Sequence, residues 1–129
     1  MYGAVPREIE EAAAQVVDSA LCVHRELGPG LLESVYELCL CHELATRGIP
    51  FERQVVLPVS YRGLQLDAGL RIDLIVASGL VVELKATEEH HALFEAQLLS
   101  YLKLTGHRLG LLINCKIPLI KDGIRRIVR

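Results

Sequence analysis

The chain has 129 residues, 51% of them hydrophobic, and a formal net charge of −2. That length suits one compact domain over 1–129, with enough apolar material for a core without disulfides. No run approaches the roughly 20 apolar residues that span a bilayer, and the acidic start MYGAVPREIEEAAA is unlike a signal peptide. A cytoplasmic protein with no membrane partner is the expectation. Charge is unevenly spread: Lys103 to Arg129 carries +6 and the first 102 residues −8. The basic tail reads as a phosphate track or as an ordinary solvated face. Cys22, Cys39, Cys41 and Cys115 show no CxxC spacing, which makes them buried thiols rather than a zinc site.

Pro6, with Glu8, Glu10 and Glu11 after it, marks a helix start. Ile9, Ala13, Val16, Ala20, Val23 and Leu27 recur at helical spacing until Gly28-Pro29-Gly30 forces a turn. A second helix is expected from Leu31 or Leu32 to Arg47, with Leu32, Val35, Tyr36, Cys39, Leu40 and Glu43 on one broad face. Phe51 to Tyr61 reads as a strand, Arg62-Gly63 as a hairpin turn and Gln65 to Val76 as a second strand. Ala77-Ser78-Gly79 then turns the chain into a third strand, Leu80 to Ala86. Glu88 to Thr105 has helical character, with Leu93, Ala96, Leu99 and Leu104 among its apolar positions. Leu109 to Ile113 is continuously apolar, as a strand covered on both faces would be, and Ile124 to Val128 offers a last short strand. The order α-α-β-β-β-α-β implies an α/β sandwich around a mixed sheet.

The segment RIDLIVASGLVVELKA, Arg71 to Ala86, places charge inside two apolar strands. Alternate strand residues share a face, so Glu83 and Lys85 point together. Arg71, Asp73 and Ile75 share one side, and Ile72, Leu74 and Val76 the other. The turn makes the strands neighbours, so Asp73 and Glu83 converge with Lys85 one pleat along. A cross-strand Lys85–Asp73 ion pair is the structural alternative. Two crowded carboxylates repel unless a cation neutralises them, and an oxygen-only donor set suits Mg²⁺ or Mn²⁺ better than Zn²⁺.

Asp73 with Glu83-Leu84-Lys85 resembles the D…ExK core of the PD-(D/E)XK nuclease superfamily. Gly30-Leu31-Leu32-Glu33-Ser34-Val35-Tyr36 is similar to the G-x-x-E-x-x-Y signature of its GxxExxY branch, and the lead-in His24 to Gly30 also looks like that branch. Gln97-Leu98-Leu99-Ser100-Tyr101 matches the Q-x-x-x-Y motif of exonuclease-like members. Gly69, rather than proline, occupies the region before Asp73. The resemblance runs from about Ile9 to Val128. It implies a restriction-endonuclease-like α-β-β-β-α-β core with a mixed central sheet flanked by helices.

The function so implied is metal-dependent hydrolysis of nucleic-acid phosphodiester bonds, DNA in the first instance. Asp73, Glu83 and the main-chain carbonyl of Leu84 would hold the divalent ion, a Lewis acid and a source of hydroxide. Lys85 would hold and polarise the attacking water or a phosphate oxygen. Glu33 would add a ligand or a water anchor, and Gln97 and Tyr101, on one helix face, would reach the same cleft. A homodimer spanning a duplex is compatible with this, and a non-catalytic nucleic-acid-binding or assembly module is the alternative. Glu33 can also be read as a charge complementing the helix dipole, and Tyr36, Gln97 and Tyr101 as packing residues. His24 reads as a core histidine with one hydrogen-bonded nitrogen, and His90-His91 as an exposed helix start.

Overall fold

The stripe that begins at Ile9 forms α1 (Arg7–Leu27) in a computed structural model that describes residues 4–67 and 69–129. Gly28, at φ 73°, ends it and donates its N–H to the His24 carbonyl. The remaining elements are α2 (Glu33–Thr46), β1 (Phe51–Val56), β2 (Val59–Tyr61), β3 (Leu64–Leu66), β4 (Arg71–Val76) and β5 (Leu80–Lys85), then α3 (Ala92–Thr105), β6 (Leu109–Asn114) and β7 (Ile124–Val128). A 3-10 turn, Ile120–Gly123, precedes β7. One sheet has the order β1-β4-β5-β6-β7, and among the described residues β2 pairs only with β3. β6 runs parallel to β5 through the α3 crossover, while the other neighbours are antiparallel.

The sheet separates two apolar layers. On one face Ile9, Val16, Leu40 and Leu44 from α1 and α2 meet Leu74, Val82, Leu84 and Ile113. On the other, Leu98, Tyr101 and Leu102 of α3 meet Ile72, Val81 and Leu112. Helix cover on both faces explains why every residue of β6 is buried. α3 comes so close at Gly110 that a Cβ there would stand 2.9 Å from the Leu98 side chain. Truncating a fully buried leucine such as Leu84 to alanine would cost about 2–5 kcal/mol. No described helix is long and apolar enough to cross a membrane.

Several elements depart from the sequence expectations. The expected strand Phe51 to Tyr61 is interrupted before Val59, where Pro58 has no N–H for a ladder. The expected strand Gln65 to Val76 is interrupted between Leu66 and Arg71, where Gly69 adopts φ 74° and Ala68 lies outside the described residues. α3 starts at Ala92 rather than Glu88, because Thr87 is held by Asn114 through its N–H, carbonyl and hydroxyl while that hydroxyl reaches the Glu89 carbonyl. Its buried residues are Leu98, Tyr101 and Leu102, and Leu93 is exposed. α2 buries Tyr36, Glu37, Leu40, Cys41 and Leu44, a face rotated from the expected one by an inward carboxylate. His24 is buried, and its Nε2 has no partner among the described residues. His91 is the exposed N-cap of α3 and packs edge-on to Phe94, as a helix start would be placed, while His90 precedes the helix with its Nε2 2.6 Å from Glu95 Oε2.

Candidate active site

The β4–β5 ladder pairs Val76 with Leu80, Ile75 with Val81 and Leu74 with Val82. Continued one step, that register sets Asp73 opposite Glu83. There the two side chains take over from the main chain. Asp73 N–H donates to Glu83 Oε1 at 3.1 Å, and Leu84 N–H donates to Asp73 Oδ2 at 2.8 Å. The N–H and C=O of one strand residue face the same neighbour, so the Leu84 carbonyl also looks into this gap. On the other side, the β1–β4 pairing skips Gln54, whose φ is +52°. Interrupted on both flanks, β4 loses its alternation: Ile72 packs with the α3 layer and Leu74 with the α1–α2 layer. The even two-sided strand expected from sequence is corrected accordingly.

Charge is crowded here. Glu83 is 4% exposed, and its carboxyl is pushed up to about 8, first by burial and then by Asp73, against the opposing Asp73 N–H and Lys85. Glu33 is raised by burial and by Asp73, with Lys85 and the Ala86 N–H acting the other way. The Tyr101 phenol is raised by burial and then by Glu83. These mutual influences place Glu33, Asp73, Glu83, Lys85 and Tyr101 in one neighbourhood.

Lys85 does not pair with Asp73 among the described residues. Its Nζ donates to Gln97 Oε1 at 3.2 Å and lies 4.9 Å from the centre of the Phe94 ring. Gln97 Nε2 in turn donates to Tyr101 Oη at 3.0 Å. An amide that accepts from the ammonium and donates to the phenol fixes the lysine's position without a contact ion pair, and its charge acts on Glu33 and Glu83 from there.

Glu33 opens α2, and its placement depends on Tyr36. The Tyr36 hydroxyl donates to the Gly28 carbonyl and accepts from the Leu31 N–H. One buried phenol thus ties both ends of the turn that delivers Glu33, so the Tyr36 of the G-x-x-E-x-x-Y segment acts through the backbone.

Sequence reasoning missed three neighbours. Glu37, 4% exposed, accepts from Arg53 Nη2 and Gln54 Nε2, each at 2.8 Å. The same Gln54 nitrogen lies 3.3 Å from Asp73 Oδ1. Glu37 is four residues after Glu33, so helical spacing put it on the Glu33 face; that was the available signal. Nothing in the sequence marked Gln54.

A family model described as the PD-(D/E)XK nuclease superfamily matches residues 10–127. The chain belongs to this superfamily. Its mixed five-stranded sheet flanked by helices is the restriction-endonuclease-like α/β arrangement. No curated protein and no solved structure matches it. PD-(D/E)XK nucleases generally use divalent metal ions. Among the described residues, no group of three or more His, Cys, Asp or Glu side chains is arranged to hold one. What this chain offers is two crowded carboxylates and a carbonyl. That oxygen set fits a hard ion that keeps several waters, and a cation there would offset both the burial and the Asp73 repulsion that raise Glu83.

Proposed function

We propose that the chain is a divalent-metal-dependent nuclease or nuclease-like phosphodiesterase of the GxxExxY branch, acting as one domain on nucleic acid, DNA in the first instance. The observation that supports this most is the opened ladder: Asp73 and Glu83 meet across it by two reciprocal hydrogen bonds, beside a lysine held by an amide. Asp73, Glu83 and the Leu84 carbonyl would hold Mg²⁺ or Mn²⁺. When bound, the ion supplies Lewis-acid polarisation of a phosphoryl oxygen.

The chain's own groups do the rest. Lys85 Nζ, oriented by Gln97 and Tyr101, stabilises charge on a non-bridging phosphate oxygen and positions the attacking water. Glu33, near Asp73 and Lys85, anchors that water by accepting its hydrogen bond. Water adds to phosphorus and releases one proton to solvent, one bridging P–O bond breaks, and the departing oxygen takes one proton from solvent.

The test is cleavage of single-stranded and duplex DNA and RNA with Mg²⁺ or Mn²⁺. Asp73→Asn and Lys85→Met should each lower the rate at least 100-fold. Cleavage absent from the wild type, or equal in the variants, would overturn the reading. The alternative, a non-catalytic module, has one observation in its favour: both carboxylates also bond main-chain N–H groups of the sheet. It predicts nucleic-acid binding without cleavage, unchanged in Asp73→Asn.

A further inference from the structure

The insertion between β1 and β4 is not used by the site chemistry, yet it carries an unusual surface. Among the described residues β2 and β3 pair only with each other, joined by a two-residue turn in which Arg62 and Gly63 both have positive φ. Such a turn matches the twist of a tight hairpin. An isolated two-stranded hairpin is marginal in water, so an exposed apolar face on one is costly. Cross-strand partners share a face. Val59 pairs with Leu66 and Tyr61 with Leu64, which makes one face wholly apolar. On the other, Gln65 Nε2 donates to Ser60 Oγ. Tyr61, Leu64 and Leu66 are 58%, 55% and 40% exposed.

Three observations bear on what would cover this face. The ribbon is three residues long in each strand, so its side chains cover at most a few hundred Å², well short of the ~800 Å² per partner of a stable dimer. At its tip the Arg62 guanidinium lies 5.4 Å from the centre of the Tyr61 ring, an aromatic platform with a cation beside it. At its root Leu57 N–H donates to the Leu70 carbonyl, and both side chains pack in the cluster that includes Phe94, the ring beside Lys85 Nζ. β4 follows directly, with Arg71 exposed and Asp73 two residues on. The acid on this segment, Asp67, is engaged by the Gly69 N–H at 3.4 Å. The hairpin is therefore continuous with the candidate active site and offers cation and π-face together.

We propose that the β2–β3 hairpin is a binding arm for unpaired nucleotides, on which a base stacks against Tyr61 while Arg62 meets the backbone phosphate. Stacking needs an exposed base face, which a duplex keeps inside, so the substrate class is single-stranded or locally unpaired nucleic acid. This deepens the nuclease reading and rests on it for the identity of the substrate. The arm lies next in the chain to β4, which carries Asp73, so it engages nucleotides flanking the scissile bond.

The experiment measures binding of a fluorescent oligothymidine and a duplex of equal length, without divalent metal, to the full chain. Tyr61→Ala should weaken single-strand binding about tenfold or more, and Tyr61→Phe should restore it. Arg62→Ala should reduce the slope of log K against log[salt] by about 0.7. A 2-aminopurine base in the oligonucleotide should report stacking in the wild type and Tyr61→Phe, and not in Tyr61→Ala. Unchanged affinity in Tyr61→Ala, no single-strand binding by the wild type, or a preference for the duplex would each overturn the arm. Self-association that Tyr61→Ala abolishes would overturn it in favour of a second copy. Because no cleavage is read, Tyr61-dependent binding by a chain that never cleaves would sink the nuclease reading and spare the arm.

Discussion

Gln54 Nε2 stands 3.3 Å from Asp73 Oδ1 and 2.8 Å from Glu37 Oε1. One amide therefore links a buried carboxylate on α2 to the carboxylate at the mouth of the opened ladder. Gln54 holds this position from a left-handed backbone, which costs a non-glycine residue about 1 kcal/mol. Gln54→Gly removes the side chain and relieves the backbone together, so the two effects oppose each other in stability while metal affinity reads the lost amide. We expect Mn²⁺ affinity by calorimetry to fall about tenfold, as for other residues that orient a ligand, with little change in the urea midpoint. Unchanged affinity would show that Asp73 needs no such support.

Glu37 is buried and Arg53 about half exposed. Arg53→Ala leaves Glu37 with only the Gln54 amide, and should destabilise the fold by about 2–3 kcal/mol, below the usual cost of breaking a fully buried pair. Adding Glu37→Gln should recover part of that loss, since the uncompensated charge is then gone. Equilibrium urea unfolding of the two variants checks this, and a double variant no better than the single one would contradict it.

Tyr36→Phe removes one hydroxyl and two backbone contacts. A stability loss of about 1–2 kcal/mol is expected. Because the turn releases Glu33, any phosphodiesterase activity should fall more than the stability change explains. Glu33→Gln in the Tyr36→Phe background should then cost less activity than in the wild type.

Glu83 carries its proton more tightly when folded, at about 8 against the ordinary 4.5. Between those values the folded chain is protonated where the unfolded chain is not. The contribution to stability is complete below pH 4.5 and is lost as pH rises through about 8, with a slope of ~1.4 kcal/mol for each pH step of one in that window. Metal-free protein should therefore melt at progressively lower temperature across that window, and Glu83→Gln should flatten the trend. Mg²⁺ should raise the melting temperature most at the alkaline end, where Glu83 is ionised. A wild-type profile parallel to that of Glu83→Gln would refute the assignment.

The pairing of β4 with β5 was legible because a short turn leaves little choice of register, whereas the period of two expected in β4 fails between Ile72 and Leu74. Lys85, Gln97 and Tyr101 were legible as types and spacings, though the Lys85–Gln97 bond, in place of an ion pair with Asp73, was not. The breaks in the first two strands were announced by Pro58 and Gly69, which outweighed the apolar content around them. The Glu37–Arg53–Gln54 group escaped because an acidic side chain on a helix is ordinarily assigned to solvent, and because no pattern marks a glutamine for positive φ. The exposed face of β2 and β3 escaped for the opposite reason: apolar alternation says which residues share a side, and is silent on whether anything covers it.

The reciprocal bonding of Asp73 and Glu83 changes how kinship to this chain should be interpreted. Each acid fastens a main-chain N–H on the opposite segment, so either could persist in a descendant that had abandoned hydrolysis, simply to keep two strands together. Among the described residues, the Lys85 side chain has no comparable tie to the backbone. Among sister sequences, its survival or loss is the better guide to which of them retain the proposed hydrolysis.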